Sequence, residues 1–392
     1  MRRRGCPRPR TRAMAEAAPG CATPPDVLVI GGGITGGTAA IALAEAGARV
    51  TVLDAGLPAG SAANAGSLHV QLQSRFLRLF PELAPNVEAS LPLYVQAVRE
   101  WEALARRLGG FDLVRAGGLM LAGSAAQMRF LEAKAAREAA RGVAVELLDR
   151  AGLERIAPWA GPGIVGAELC RDEGKLDPLL ANRRLAEHAA ALGVVRLSGR
   201  AVALTADPAA ILADGRRLAA GQILLAAAWG SGAMTASLGC PLPSRAEPLH
   251  MNITEPAAPA IGQLIQHAER PITLKQLGTG QIVIGGGWPA LAAEPVPRVH
   301  PGSLLGNVAL AGEIAPALGT LRVIRCWAGY NTTLDGRTAL GRLPRAGRVI
   351  VAIPGDAGYT LGPLVGRAAA ALALGTPPPF DVAPCDPARF WS

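Results

Sequence analysis

Gly31, Gly33 and Gly36 stand in the spacing G-x-G-x-x-G, and Asp54 follows them at the separation suited to an acid that holds a ribose hydroxyl. The first glycine lets the chain turn tightly, the second lets backbone approach a pyrophosphate, and the third lets a helix pack on a sheet. Ile34 and Thr35 complete the helix start, whose free N–H groups and positive dipole end suit a diphosphate. Ser61 to Ser67 (S-A-A-N-A-G-S) is a run of small and amide residues that can lie flat against a large cofactor. Gly355-Asp356-Ala357-Gly358-Tyr359-Thr360-Leu361-Gly362-Pro363 sets glycines at a second strand-to-helix turn, again offering N–H groups to an anion. A glycine-rich turn without a ligand is the plain alternative. The order strand, glycines, helix, second strand, acid argues against it.

Those residues need elements to hold them. Val27 to Ile30 reads as a buried strand, Ala39, Ala40, Leu43 and Ala44 as a helix ended by Gly47, and Val50 to Leu53 as a second strand. Residues 77–145 read as helical, with a hairpin over Phe111 to Ala122 around Gly117-Gly118. Asp177-Pro178 reads as an N-cap with proline at the first helical position. Gly199 to Leu212 and Arg217 to Ala228 read as strands, the latter ending in Ala227-Ala228-Trp229-Gly230, where an open α/β sheet meets its ligand. Residues 241–320 break often at prolines and read as an antiparallel sheet. Arg348 to Ile353 returns as a strand before the second glycine turn. The expected fold class is α/β. A discontinuous cofactor domain covers 26–80, 146–240 and 322–392, and a substrate domain covers 81–145 and 241–321.

A chain of 392 residues suits two domains, and half of it is hydrophobic. No apolar run is long enough to span a bilayer. The net charge of +9 owes much to arginines 2, 3, 4, 8, 10 and 12, so residues 1–25 read as a disordered basic tail, with Met14 a plausible start. That tail has no apolar core of a signal peptide. No nucleic-acid partner is expected. Cysteines 6, 21, 170, 240, 326 and 385 form no C-x-x-C pair and no metal spacing with the five histidines, so no metal is expected and the thiols read as reduced. The expected location is cytoplasmic, with peripheral attachment at the inner membrane face left open.

Four blocks occur in a fixed order: the glycine loop, Ser61-x-x-Asn64-Ala65-Gly66, Arg325-x-Trp327-Ala328-Gly329 with a later Asp335-Gly336, and Gly355-x-x-Gly358-x-Thr360-x-Gly362-Pro363. From Asp26 to Gly375 the chain resembles the D-amino-acid oxidase-like flavoproteins, which include glycine oxidase, sarcosine oxidase, and proline dehydrogenase β-type and opine oxidase subunits. The resemblance implies a Rossmann-like FAD-binding domain and a substrate domain with a mostly antiparallel sheet and helices. It implies that Gly31, Gly33, Ile34, Thr35 and Gly36 cradle the FAD pyrophosphate and that Asp54 and Ala55 hold the adenosine ribose. Ser61, Asn64, Ala65, Gly66 and Ser67 would line the ribityl chain and flavin. Val202 would meet the adenine, and Ala227, Trp229 and Gly230 would cross the pyrophosphate. Gly355, Asp356, Gly358, Tyr359, Thr360 and Leu361 would face the pyrimidine end. Ala328 stands where sarcosine oxidase-like members bond the flavin through cysteine, so FAD is expected to be non-covalent, with Cys326 a structural neighbour. Gly329-Tyr330-Asn331-Thr332 lacks the carboxylate-binding arginine of glycine oxidase-like members, which points away from a simple D-amino acid or glycine.

The implied activity is oxidation of a C–N bond in an amino acid or N-substituted amino acid, of the proline, hydroxyproline, opine or sarcosine kind. Hydride passes to flavin N5 and the imine is then hydrolysed. Arg325 is the candidate for the substrate carboxylate, Tyr330 for the amine or carboxylate, and His69 for a site beside the flavin, with Arg245 and Lys275 as further basic residues. The plainer readings are a structural Arg325, a core His69 and a Tyr330 that packs under the flavin. A 2-hydroxy-acid oxidoreductase on the same scaffold and a non-catalytic FAD-binding subunit of a larger complex are the alternative functions. The electron acceptor would be oxygen, a quinone or a partner subunit, which leaves a hetero-oligomer open.

Overall fold

The computed structural model describes residues 24–258 and 260–391. The expected basic tail lies outside the described residues except for Pro24 and Pro25, as do Cys6 and Cys21. Two sheets organise the rest. The first has six strands, in the order Ala339–Leu343, Ala346–Ile353, Gln222–Leu225, Val27–Ile30, Val50–Asp54, Val195–Ser198. All neighbours are parallel except the first pair. Val27–Ile30 is buried along its whole length, as a strand covered on both faces must be. It lies between Val50–Asp54, the next strand in sequence, and Gln222–Leu225, which the chain supplies much later on the other side, so the crevice at its carboxyl end is the switch point where such sheets bind ligands.

Two helices cover this sheet beside that crevice. Ile34–Glu45 starts after Gly33, and Gly358–Leu374 starts after Ala357. Their contact is built from small residues. A Cβ at Gly366 would fall 2.3 Å from Thr38 Oγ1, and one at Gly362 would fall 2.5 Å from Ile34 Cγ2. Gly36 acts in the same way toward the sheet, since its Cβ would be 1.9 Å from the Gly31 carbonyl oxygen.

The second sheet has eight strands, in the order Val323–Thr333, Arg245–Pro256, Gln281–Gly285, Thr273–Gln276, Leu264–His267, Gly118–Ala122, Gly166–Cys170, Val145–Asp149. It is antiparallel apart from the pair Leu264–His267 and Gly118–Ala122. Strand pairing moves two of the expected boundaries. Residues 146–170 and 323–333 fall on the cofactor side by sequence, yet their strands belong to this sheet. The expected hairpin over Phe111 to Ala122 does not form. Gly118–Ala122 is one buried strand whose partners come from residues 166–170 and 264–267. Phe111 and Asp112 adopt φ values of 123° and 50°, a bend no hairpin pattern announces.

The long helix Ala84–Leu108 props the second glycine turn. Pro363 has no N–H, so the Tyr359 carbonyl four residues earlier lacks its helical partner. Trp101 Nε1 donates to that carbonyl at 3.2 Å, and the Trp101 ring stacks on Tyr359 with centroids 5.2 Å apart. Tyr94 Oη donates to the Asp356 carbonyl, also at 3.2 Å. The aromatic residues of this helix thus shape the turn from behind. Trp101→Phe keeps the stack and removes the donor, leaving a buried carbonyl unpaired. Urea unfolding should show a loss of about 1–3 kcal/mol; an unchanged midpoint would show that the carbonyl finds another partner.

Candidate active site

The crevice continues as a cavity of about 1000 Å³ that runs from Val202, at one end, to the wall of the eight-stranded sheet. At its start, Gly31 (φ 98°) passes so close to the neighbouring strand end that a Cβ would be 2.4 Å from the Ala226 carbonyl oxygen. Gly33 faces Ser61, whose Oγ accepts from Ile34 N at 3.0 Å and caps the helix. Asp54 Oδ2 accepts from Gly32 N at 2.6 Å, and Oδ1 accepts from Gly56 N at 2.8 Å. The acid therefore staples the glycine loop to the second strand as well as facing the cavity. Arg196, on the adjacent strand, lies 3.3 Å from Asp54 Oδ1 and lines the same end with Arg200. Neither arginine was marked by a motif. The register that sets Arg196 opposite Val52 brings it there.

The distant glycine turns meet along the cavity. Gly31, Gly33, Ile34, Thr35, Asp54, Ala55, Ser61, Asn64, Ala65, Ser67, Val202, Ala227, Trp229 and Gly230 line it, as do Gly355, Asp356, Gly358, Tyr359 and Thr360. Gly36, Gly66 and Leu361 do not. Gly36 and Gly66 are places of close backbone approach, Gly66 against the Leu176 carbonyl, and Leu361 is core. Ala228 takes φ 53°, the left-handed conformation a glycine would adopt easily. The lining is what a long dinucleotide cofactor requires: bare backbone at two helix starts and an acid at one end. No cysteine lines the cavity among the described residues.

The far end is walled by nitrogen-bearing side chains. Lys275 is buried on Thr273–Gln276 and donates to Ser67 Oγ at 2.9 Å. Burial, with Lys175 nearby, holds its amine well below the usual lysine range. His69 has a side-chain exposure of 16%, and burial, with Lys275, lowers its pKa to about 3, so the ring is neutral. His267 is lowered to about 4 by burial and then by Arg270. Its Nδ1 accepts from the backbone N–H of Glu269 and Arg270. Asp356 is pushed up, chiefly by burial. Arg75 lies against Gly287 and is held by Glu247 Oε1 at 2.6 Å, while Asn331 Nδ2 donates to the other Glu247 oxygen.

The structure redistributes the expected substrate residues. His69 and Tyr330 line the cavity, but the Tyr330 hydroxyl is engaged with the backbone of Ala293, donating to its carbonyl at 2.8 Å, and the ring packs on Trp229. Arg325 does not line the cavity. It is exposed on Val323–Thr333, five residues from Tyr330, and alternation along a strand turns the two to opposite faces. Arg245 is also exposed and off the cavity. Lys275 and Arg75 are inside. Arg75 carries no spacing signal, because its place depends on Glu247 and Gly287, both far away in the chain.

Residues 26–372 match the family model described as FAD dependent oxidoreductase. Among curated proteins, the chain is 27% identical over 368 residues to glycine oxidase of Bacillus licheniformis, covering 90% of this chain and 94% of that one. It is 26% identical over 329 residues to an opine oxidase subunit of Rhizobium meliloti, covering 79% of this chain and 83% of that one. Among solved structures, glycine oxidase from Geobacillus kaustophilus superposes with a TM-score of 0.83 at 21% identity, covering 93% of this chain and 98% of that one, a likeness of fold.

Asp54→Ala removes the acceptor for Gly32 N and Gly56 N and the acid at the cavity end. FAD affinity, titrated by flavin fluorescence, should fall by at least about tenfold, the worth of one charge-assisted hydrogen bond. Unchanged affinity would remove Asp54 from the cofactor site.

Proposed function

This chain belongs to the FAD-dependent oxidoreductase family, and from that premise we propose that it oxidises the C–N bond of an amino acid or N-substituted amino acid, of the proline, hydroxyproline, opine or sarcosine kind, to an imine that is then hydrolysed. The observation that carries this reading is the Arg75 guanidinium in a cavity wall that also holds the neutral imidazoles of His69 and His267 and the guanidinium of Arg270. FAD, when bound, supplies the two-electron acceptor. Glu247 holds one guanidinium nitrogen of Arg75 and leaves the other N–H groups without a protein acceptor among the described residues, free for a carboxylate. His69, uncharged, gives the amine a neutral partner, and burial holds the Lys275 amine well below the usual lysine range. A desolvated site of this kind disfavours the ammonium form and selects the amine with its lone pair available.

Wall and cradle are fixed to each other. Lys275 donates to Ser67, and Trp327 Nε1 donates to the Ala63 carbonyl at 2.8 Å, so the substrate sheet is tied to the segment expected to lie along the flavin. Such ties favour one geometry between substrate and cofactor. The absence of cysteine from the cavity lining among the described residues supports FAD held without a covalent bond. The relationship to a component of an opine oxidase supports a partner chain as one destination for electrons, beside oxygen or a quinone.

Anaerobic mixing of the FAD-loaded protein with proline, N-alkyl amino acids and 2-hydroxy acids tests the reaction. Amines should bleach the flavin absorbance; bleaching by hydroxy acids alone would overturn the proposal. Arg75→Ala should raise KM about 10- to 100-fold, the worth of a charged hydrogen bond, with FAD content kept. Arg325→Ala should leave the kinetics unchanged. An unaltered KM in the Arg75 variant would place the carboxylate elsewhere.

A further inference from the structure

Behind His69 lies a carboxylate that no motif and no step above has used. Glu173 is fully buried in the turn that follows the strand Gly166–Cys170. Its Oε1 accepts from Val70 N at 2.8 Å and Gln71 N at 3.0 Å. Its Oε2 accepts from the side-chain amides of Gln71 at 3.0 Å and Gln266 at 3.2 Å. A carboxylate fixed by four N–H donors from two parts of the chain cannot rotate freely. Its Oε1 lies 3.9 Å from His69 Nδ1, and that nitrogen is buried with no hydrogen-bond partner. His69 N is itself pinned, donating to Thr360 Oγ1 at 3.0 Å.

A neutral imidazole carries one proton, on either nitrogen. Beside an ionised carboxylate, the form with the proton on the nearer nitrogen is favoured, because it sets N–H rather than a lone pair against negative charge. The reverse form would bury two acceptors face to face. We propose that Glu173 is a positioning residue that holds His69 with its proton on Nδ1, so that Nε2 is presented to the cavity as an acceptor for an amine N–H of the substrate.

The surroundings fit this role. The charged and titratable groups packed about the pair are Lys275 from Thr273–Gln276, Lys134 and Glu138 from Ala125–Ala139, and Glu168 and Cys170 from Gly166–Cys170. Lys134 bonds Glu138 at 2.8 Å and Glu168 at 2.6 Å, so that cation is already engaged. Burial holds the Lys275 amine well below the usual lysine range, and its hydrogen bond goes to Ser67 Oγ rather than to the carboxylate. Burial raises Glu173 to about 7 against the opposing N–H donors of Val70 and Gln71, so the carboxylate is ionised, and the tautomer bias complete, only above that pH. Gln266, held by the same carboxylate, also lines the cavity, so one buried group sets two wall residues.

The amine in this proposal rests on the function argued above, but the tautomer does not, and it can be read without turnover. Long-range proton–nitrogen correlation spectra of the FAD-loaded, 15N-histidine-labelled protein at about pH 9, well above the Glu173 range, report which ring nitrogen bears the proton. His69→Asn assigns the signal. The Nδ1–H form should exceed the other by at least about tenfold, a conservative reading of a carboxylate at this distance. Glu173→Gln, which keeps an acceptor for Val70 and Gln71, should lower that excess by about tenfold and reduce the rate of flavin reduction more than it changes KM. A purely structural Glu173 would alter stability and leave the tautomer ratio alone. A wild-type ring protonated at Nε2 would overturn the proposal, whether or not the variant folds, as would an unchanged ratio in a folded variant. Flavin that no amine reduces, with the Nδ1–H form still dominant, would reject the amine and leave the tautomer assignment standing.

Discussion

The close approach of two helices governs this architecture. Ile34–Glu45 and Gly358–Leu374 meet through glycine, alanine and threonine, and a single added methyl at Gly366 would collide with Thr38. Interiors packed at crystal-like density have no slack to absorb such a group. Because the helices lie this close, their N-termini open on the same crevice, and the unpaired N–H groups and positive dipole ends of both act on one ligand. A cofactor with a diphosphate in its middle and a reducible ring at its end draws on both poles. The first helix start suits the diphosphate, and the second, beside Gly355, suits negative charge on the ring.

The second requirement is a wet-chemistry wall in a dry place. The eight-stranded sheet faces the cavity with lysine, histidine and glutamine, and each must be paired or neutral once buried. The structure meets this in several ways. His69 and His267 give up their charge, and Lys275, its amine held well below the usual lysine range by burial, keeps a hydrogen bond to Ser67. Deeper in, Lys134 keeps its charge because Glu138 and Glu168 surround it, and burial raises Glu168 to about 9. A buried ion cluster of this type adds little net stability, yet losing one member strands the others. It fixes where Gln71, and through it Glu173, must sit.

Cradle and wall come from interleaved stretches of sequence. The strand Val323–Thr333 sits at the edge of the substrate sheet, and within 20 residues the chain has crossed back to the cofactor sheet. Trp327, on that strand, donates to Ala63 of the cavity lining. The contact ties the eight-stranded sheet to the lining at the cavity, where small misplacements matter most.

Much of one side of the cavity lining was legible in the residues themselves. Gly31, Gly33, Asp54, Ser61, Asn64 and Gly355 are informative because backbone geometry near a diphosphate admits few side chains, and that restriction is local. The α/β class was legible for the same reason, since a buried parallel strand and its following helix are patterned within a few turns of chain. The substrate wall was not. Arg325 lay in a recognisable motif and proved to face solvent, because the face a strand residue takes depends on the register of that strand with Arg245–Pro256. Arg75 and Glu173 had no motif and yet stand at the cavity or directly behind it, placed by partners dozens to hundreds of residues away. The kind of ligand the chain holds was therefore written in local residue types. Which charged groups line the cavity emerged only in three dimensions, because side-chain charge, burial and protonation are set by neighbours brought from afar.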